Sequence, residues 1–89
     1  MMAMGINYSS MIVQWKPLSG AEFGGVPKGY RVLYTNNTGN WNNLTVDTSQ
    51  VELVITGLSS YTNYTVKVAG ISSKGEGLWS LPALATTQG

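Results

Sequence analysis

Four carboxylates, Glu22, Asp47, Glu52 and Glu76, are the only side-chain acids of this chain, and its 89 residues contain neither His nor Cys. A pair of acids that cleaves a glycosidic bond must flank that bond from two sides. These four stand in four separate stretches of sequence, with nothing in their spacing to pair them. Serine nucleophiles need a base, usually imidazole, and this chain has none. Zinc sites of the common kind need thiolate or imidazole ligands, which are also missing. The expectation is a protein that is not an enzyme and has no catalytic residues, metal or cofactor.

The other residues that could carry chemistry are asparagines. Four Asn-X-Ser/Thr sequons occur, at Asn7-Tyr8-Ser9, Asn36-Asn37-Thr38, Asn43-Leu44-Thr45 and Asn63-Tyr64-Thr65. Each is an acceptor motif for N-linked glycan, which needs a surface position in a secreted chain. Four is a mild excess over chance in a chain with 7 Asn and 18 Ser or Thr. Asn36, Asn43 and Asn7 are the candidate glycosylation sites, with Asn36 the best acceptor because it lies in a turn cluster. Asn63 is compromised by its neighbour Tyr64, which reads as a core residue. The sequons lean toward an extracellular or cell-surface chain.

The elements that must position these residues are strands. Only 10% of the chain is charged, with a net charge of +1, so the basic footprint of a nucleic-acid module is missing. No apolar run approaches the ~20 residues that cross a bilayer as a helix, so membrane insertion of this segment is not expected. Period-two alternation recurs along the chain. Met11, Val13 and Trp15 alternate with Ile12 and Gln14; Tyr30, Val32 and Tyr34 with Arg31, Leu33 and Thr35. Val51, Leu53 and Ile55 alternate with Glu52, Val54 and Thr56; Tyr64, Val66 and Val68 with Thr65, Lys67 and Ala69. Residues 41–46 and 82–87 are further extended stretches. Turn clusters at 19–29, 36–40, 47–50, 58–63 and 72–77 separate them, with Pro17 and Pro27 placed in turns. Such strands, each with one apolar face, predict an antiparallel two-sheet sandwich. Its expected core is Trp15, Tyr30, Val32, Tyr34, Leu53, Ile55, Leu58, Tyr64, Val66 and Val68.

The order and separation of Trp15, Gly29-Tyr30-Arg31-Val32-Leu33-Tyr34, Gly57-Leu58, Thr62, Tyr64, Val66, Val68 and Gly75-Glu76-Gly77-Leu78-Trp79-Ser80 resemble a fibronectin type III domain over residues 8–87. Ser60 departs from the pattern, standing where that family usually has Pro. The resemblance implies an all-β, immunoglobulin-like sandwich making one domain over residues 1–89. It also implies that Trp15 lies between the sheets and that Tyr64 forms the tyrosine corner, its hydroxyl returning to backbone near Leu58. Residues 1–5 read as a vector-derived leader, and the first strand is expected to be short or incomplete.

The resemblance brings three loops to one end: 16–28, 47–50 and 72–78. The family's adhesive tripeptide, Arg-Gly-Asp, would lie in the last, where this chain has Lys74-Gly75-Glu76. Lys replaces Arg, and Glu moves the carboxylate outward by a methylene, so integrin binding is not expected. Phe23 either caps the core or, if exposed, anchors a partner. A second candidate surface is the outer face of the sheet containing Arg31, Leu33 and Lys67, with Trp79 lying across it as a shield or as an anchor. The candidate partner surface is therefore Phe23, Arg31, Leu33, Lys67, Lys74, Glu76 and Trp79; Trp41 finds no place in it. By the resemblance the chain is a non-catalytic extracellular module of a larger receptor or cell-adhesion protein. It would act as a recognition surface for a protein ligand or as a rigid spacer between neighbouring domains. The alternatives are a spacer of a secreted microbial enzyme or an engineered fibronectin-type binder. A short first strand also raises self-association through an open N-terminal edge, since an unpaired edge is a template for another chain.

Overall fold

The alternation by twos becomes eight strands and one helical turn in a computed structural model describing residues 2–36, 39–80 and 82–89. The strands are β1 (Met2–Gly5), β2 (Met11–Gln14), β3 (Pro27–Thr35), β4 (Asn42–Val46), β5 (Glu52–Ile55), β6 (Asn63–Ser72), β7 (Gly75–Trp79) and β8 (Ala83–Thr86), and α1 spans Gly20–Phe23. One sheet has the order β1-β2-β5. The other has β4-β3-β6-β7, with β8 also pairing β6 beyond the end of β7. Every pairing is antiparallel, and no helix among the described residues is long and apolar enough to cross a membrane.

The core forms where the inner faces meet, because period two sends alternate side chains to one side. Trp15, Tyr30, Val32, Ile55, Tyr64, Val66 and Val68 are buried, together with Met11, Val13, Phe23 and Ala85. Trp15 and Phe23 both lean on Tyr30, with ring centroids 5.5 and 5.4 Å away. Tyr34, Leu53 and Leu58 are only half-buried and pack against this cluster from its margin. The cause is position. Leu53 is on β5, the outer strand of the smaller sheet, and Tyr34 pairs with Asn42 on the outer strand β4.

Two buried tyrosines fasten loops to the core. Tyr64 Oη accepts a hydrogen bond from the Ser59 backbone N–H at 3.0 Å. Tyr30 Oη accepts one from the Leu18 N–H at 2.9 Å, a second such device that the sequence pattern did not suggest.

Four sequence expectations are corrected. The stretch 72–77 is not one turn, because the turn narrows to Ser73-Lys74 and β7 begins at Gly75, held by the ladder to β6. Pro27 is the first residue of β3 rather than part of a turn, where its missing N–H is tolerated before the irregularity between Pro27 and Gly29. The long loop contains α1, opened by a capping box in which Ser19 Oγ accepts from the Glu22 N–H while Glu22 Oε1 accepts from the Ser19 N–H. Lastly, β2 is not an open edge: β1 pairs with it in unbroken register, Met2 opposite Gln14 through Gly5 opposite Met11. Gly5, which by propensity weakens a strand, is what allows this fit. A Cβ at that position would lie 2.0 Å from the Thr86 carbonyl oxygen of β8.

Candidate functional site

The outer face of the larger sheet is built by the side chains that alternation turns away from the core. Arg31 and Leu33 on β3 stand opposite Thr45 and Asn43 on β4, and opposite Ala69 and Lys67 on β6. Ala69 in turn pairs with Trp79 on β7. Lys67 Nζ lies 4.8 Å from the centroid of Trp41 and 5.3 Å from that of Trp79. The two indoles reach the ammonium from opposite margins of the sheet, one from beside β4 and the other from β7. A cation over an indole face is attracted by the ring quadrupole, by about 0.5–1 kcal/mol at exposed sites. Next to this sandwich, Arg31 Nη1 and Glu76 Oε1 form an ion pair, each side chain 37% exposed. A pair so open to water contributes little to stability, about 0–1 kcal/mol, but it fixes the position of two charges on the face.

Trp41 is thus a central part of this surface, although alternation could not place it. It precedes β4 and is 44% exposed. The signal that could have found it is its offset of two from Asn43, which puts it on the same side of an extended chain as Leu33 and Lys67. Trp79, Leu33 and Lys67 are half-buried, so Trp79 shields the sheet while keeping part of its ring accessible. Ala69, opposite Arg31 on the same sheet, is 2% exposed beside Trp79.

The remaining candidate surface residues separate. Phe23 is 5% exposed, with its ring against Tyr30, so of its two expected roles it takes that of core cap and drops out of the candidate partner surface. Lys74 is exposed at the tip of the β6–β7 turn, and Gly75 adopts φ +106°, which favours glycine. Glu76 faces Arg31 rather than acting with Lys74. The loops do gather: Val26 and Ser73 exchange hydrogen bonds, and Gly29 backs directly onto Val46 and Asp47. A cleft of about 240 Å³ opens near this end, lined by Trp15, Lys16, Leu18, Tyr30, Trp79 and Ser80 among others. The buried Trp15 Nε1 has no hydrogen-bond partner among the described residues.

Each acid has a local structural partner. Glu22 caps α1, Asp47 accepts from Ser49 within its own turn, Glu52 accepts from Gln14 Nε2 at 2.7 Å, and Glu76 pairs with Arg31. Of the sequon asparagines, Asn7 Oδ1 accepts from the Ser9 N–H and Asn63 Oδ1 from the Thr86 hydroxyl. Asn36 is exposed just after β3, but Asn37 and Thr38 of its sequon lie outside the described residues. Asn43 is exposed as the second residue of β4.

Comparison with known proteins places these features. The sequence profile described as "Fibronectin type III domain" matches residues 1–86. The chain is 34% identical over 100 residues to the receptor-type tyrosine-protein phosphatase F of Danio rerio, covering 94% of this chain and 5% of that protein. It is 32% identical over 83 residues to the cell adhesion molecule DSCAM of Homo sapiens, covering 88% of this chain and 4% of that protein. The chain therefore spans about one-twentieth of the length of these relatives. Among solved structures, the FN5 domain of Drosophila Lar superposes with a TM-score of 0.76 at 26% identity, over 98% of this chain and 89% of that one. The fn3 domain of human contactin 1 gives a TM-score of 0.84 at 19% identity, over 97% of this chain and 71% of that one. The second likeness speaks for the fold alone.

Proposed function

This chain belongs to the fibronectin type III family, and from that premise we propose that it is a non-catalytic extracellular module of a larger receptor or cell-adhesion protein. Its role is to present a recognition surface on the outer face of the five-stranded sheet. The observation that carries the reading is the placement of Lys67 between Trp41 and Trp79, beside the Arg31–Glu76 pair. An accessible aromatic next to fixed charges is the composition of a protein-contact surface, where Trp, Tyr and Arg concentrate binding energy. The match to a small part of a receptor phosphatase and of an adhesion molecule supports the setting, one module among many. A fold alone does not imply a function, so the face rather than the sandwich carries the proposal. Its partner is a protein ligand or a neighbouring domain of the same chain. Self-association through the N-terminal edge is not part of the proposal, because β1 covers β2.

Sequencing the full-length transcript that encodes this chain tests the setting. The expected result is an open reading frame with a secretory signal and further modules of this or the immunoglobulin kind. An intracellular reading frame without a signal would overturn it. Charge changes on the face (Lys67→Glu, Arg31→Glu) are then expected to weaken capture of the native partner at least tenfold with the fold intact.

A further inference from the structure

We propose that Asn43 is a glycosylated asparagine of this domain and that Trp41 is the platform on which its first N-acetylglucosamine lies. The inference rests on the extracellular reading above.

In an extended chain residues i and i+2 share a face. Asn43 stands opposite Leu33 and Thr45 opposite Arg31, both on the outer face of the larger sheet. Trp41 is on that face too, because its ring meets Lys67, which pairs with Leu33 from the other side. The acceptor amide, the sequon hydroxyl and an exposed indole therefore stand in one row along β4. All three residues are exposed, so a sugar on Asn43 is accommodated once the chain has folded.

In the transfer, Asn43 Nδ2 forms a bond to C1 of the sugar, supplied by a polyprenyl-diphosphate-linked oligosaccharide. The C1–O bond to the diphosphate breaks, the diphosphate leaves with the electron pair, and one proton leaves Nδ2. Folding then sets the first sugar beside Trp41. The indole face is electron-rich, and the C–H-lined face of a pyranose is weakly positive, so the two attract as Lys67 and the ring do. The placement has a second consequence. β4 is the outer strand of its sheet, and its residues, Asn42-Asn43-Leu44-Thr45-Val46, include no Lys or Pro to discourage pairing with another chain. A sugar rooted at Asn43 stands on the face beside that edge and adds bulk against a second chain.

The test secretes the full chain from a eukaryotic cell behind a cleavable leader, alongside Asn43→Gln, Trp41→Ala and the double variant. Deglycosylation in heavy-oxygen water followed by peptide mass spectrometry reads the occupancy of each sequon. An endoglycosidase that leaves one N-acetylglucosamine then isolates the effect of the first sugar. Asn43 is expected to be occupied in most molecules. The trimmed protein is expected to unfold about 4 °C above Asn43→Gln, and in the Trp41→Ala background that gap is expected to shrink to about 1 °C or less. Secretion with Asn43 bare overturns the proposal, as does a gap that Trp41→Ala leaves unchanged. If Trp41→Ala is poorly secreted, Trp41→Leu, which keeps bulk and removes the π face, gives the same comparison. Because the leader imposes secretion, these outcomes do not depend on where the native protein resides. An intracellular parent would overturn the functional reading without altering them.

Discussion

Gly5→Ala separates a propensity argument from a packing argument, because the two predict opposite signs. In a strand interior, replacing Gly by Ala removes an entropic penalty and should stabilise by roughly 0.5–1 kcal/mol. At Gly5 the added Cβ would lie 2.0 Å from the Thr86 carbonyl oxygen, 2.8 Å from its carbonyl carbon and 3.1 Å from the Thr87 Cα. All three are backbone atoms of a paired strand and its continuation, so no side chain can swing aside. Ordinary contact begins near 3.4 Å, so β1 or β8 must retreat by more than an ångström. Overpacking against rigid surroundings costs about 1–3 kcal/mol, and part of the β1–β2 ladder is lost with it. The expected net effect is a destabilisation of about 2–3 kcal/mol, or about 10–20 °C in the unfolding midpoint of a domain this size. Gly77→Ala is the control: its Cβ would meet only the Gly70 oxygen, at 3.5 Å. It should move the midpoint by no more than a few degrees. Calorimetry reads both, and amide exchange at residues 11–14 shows whether β1 has detached. If Gly5→Ala unfolds at or above the parent's midpoint, the close approach of β1 to β8 is wrong.

Tyr64→Phe and Tyr30→Phe each remove the acceptor of a loop N–H, at Ser59 and Leu18. Each should cost about 1–2 kcal/mol, seen as a lower denaturant midpoint with an unchanged slope. Tyr61 holds φ +50° and is 81% exposed. Tyr61→Asn should therefore stabilise by about 0.5–1 kcal/mol, measured by the same titration. Glu76→Gln breaks an ion pair that water already screens. It should change stability by about 0.5 kcal/mol or less at low salt and by nothing measurable in molar salt.

Much of the sandwich is legible in the sequence because burial imposes a period of two on β2, β3, β5 and β6. The same rule fails where burial is one-sided or absent. β7 begins Gly75-Glu76-Gly77, residues with weak strand preference, and exists because β6 offers it a ladder. β4 is exposed on both faces except near Val46, so burial gave Trp41 no alternation and only its offset of two from Asn43 could have placed it. Helix α1 has only 4 residues and no periodicity, yet Ser19-x-x-Glu22 is a capping-box signature that local reading could have used. Of the surface residues, alternation alone assigns Arg31, Leu33 and Lys67 to one face. The partnership of Lys67 with two indoles depends on the strand order β4-β3-β6-β7, which no local pattern contains. Phe23 goes the other way, because only the turn of α1 determines that its ring points at Tyr30 rather than at solvent.

The central claim is that this domain works outside the cell, presenting its Trp41–Lys67–Trp79 face to other proteins. Labelling intact cells that express the full-length parent protein with a membrane-impermeant, amine-reactive biotin reagent tests it most directly. Peptides bearing Lys74, exposed at the β6–β7 turn, should be labelled to the same extent before and after permeabilisation. Labelling of Lys74 that appears only once the membrane is opened would contradict the claim.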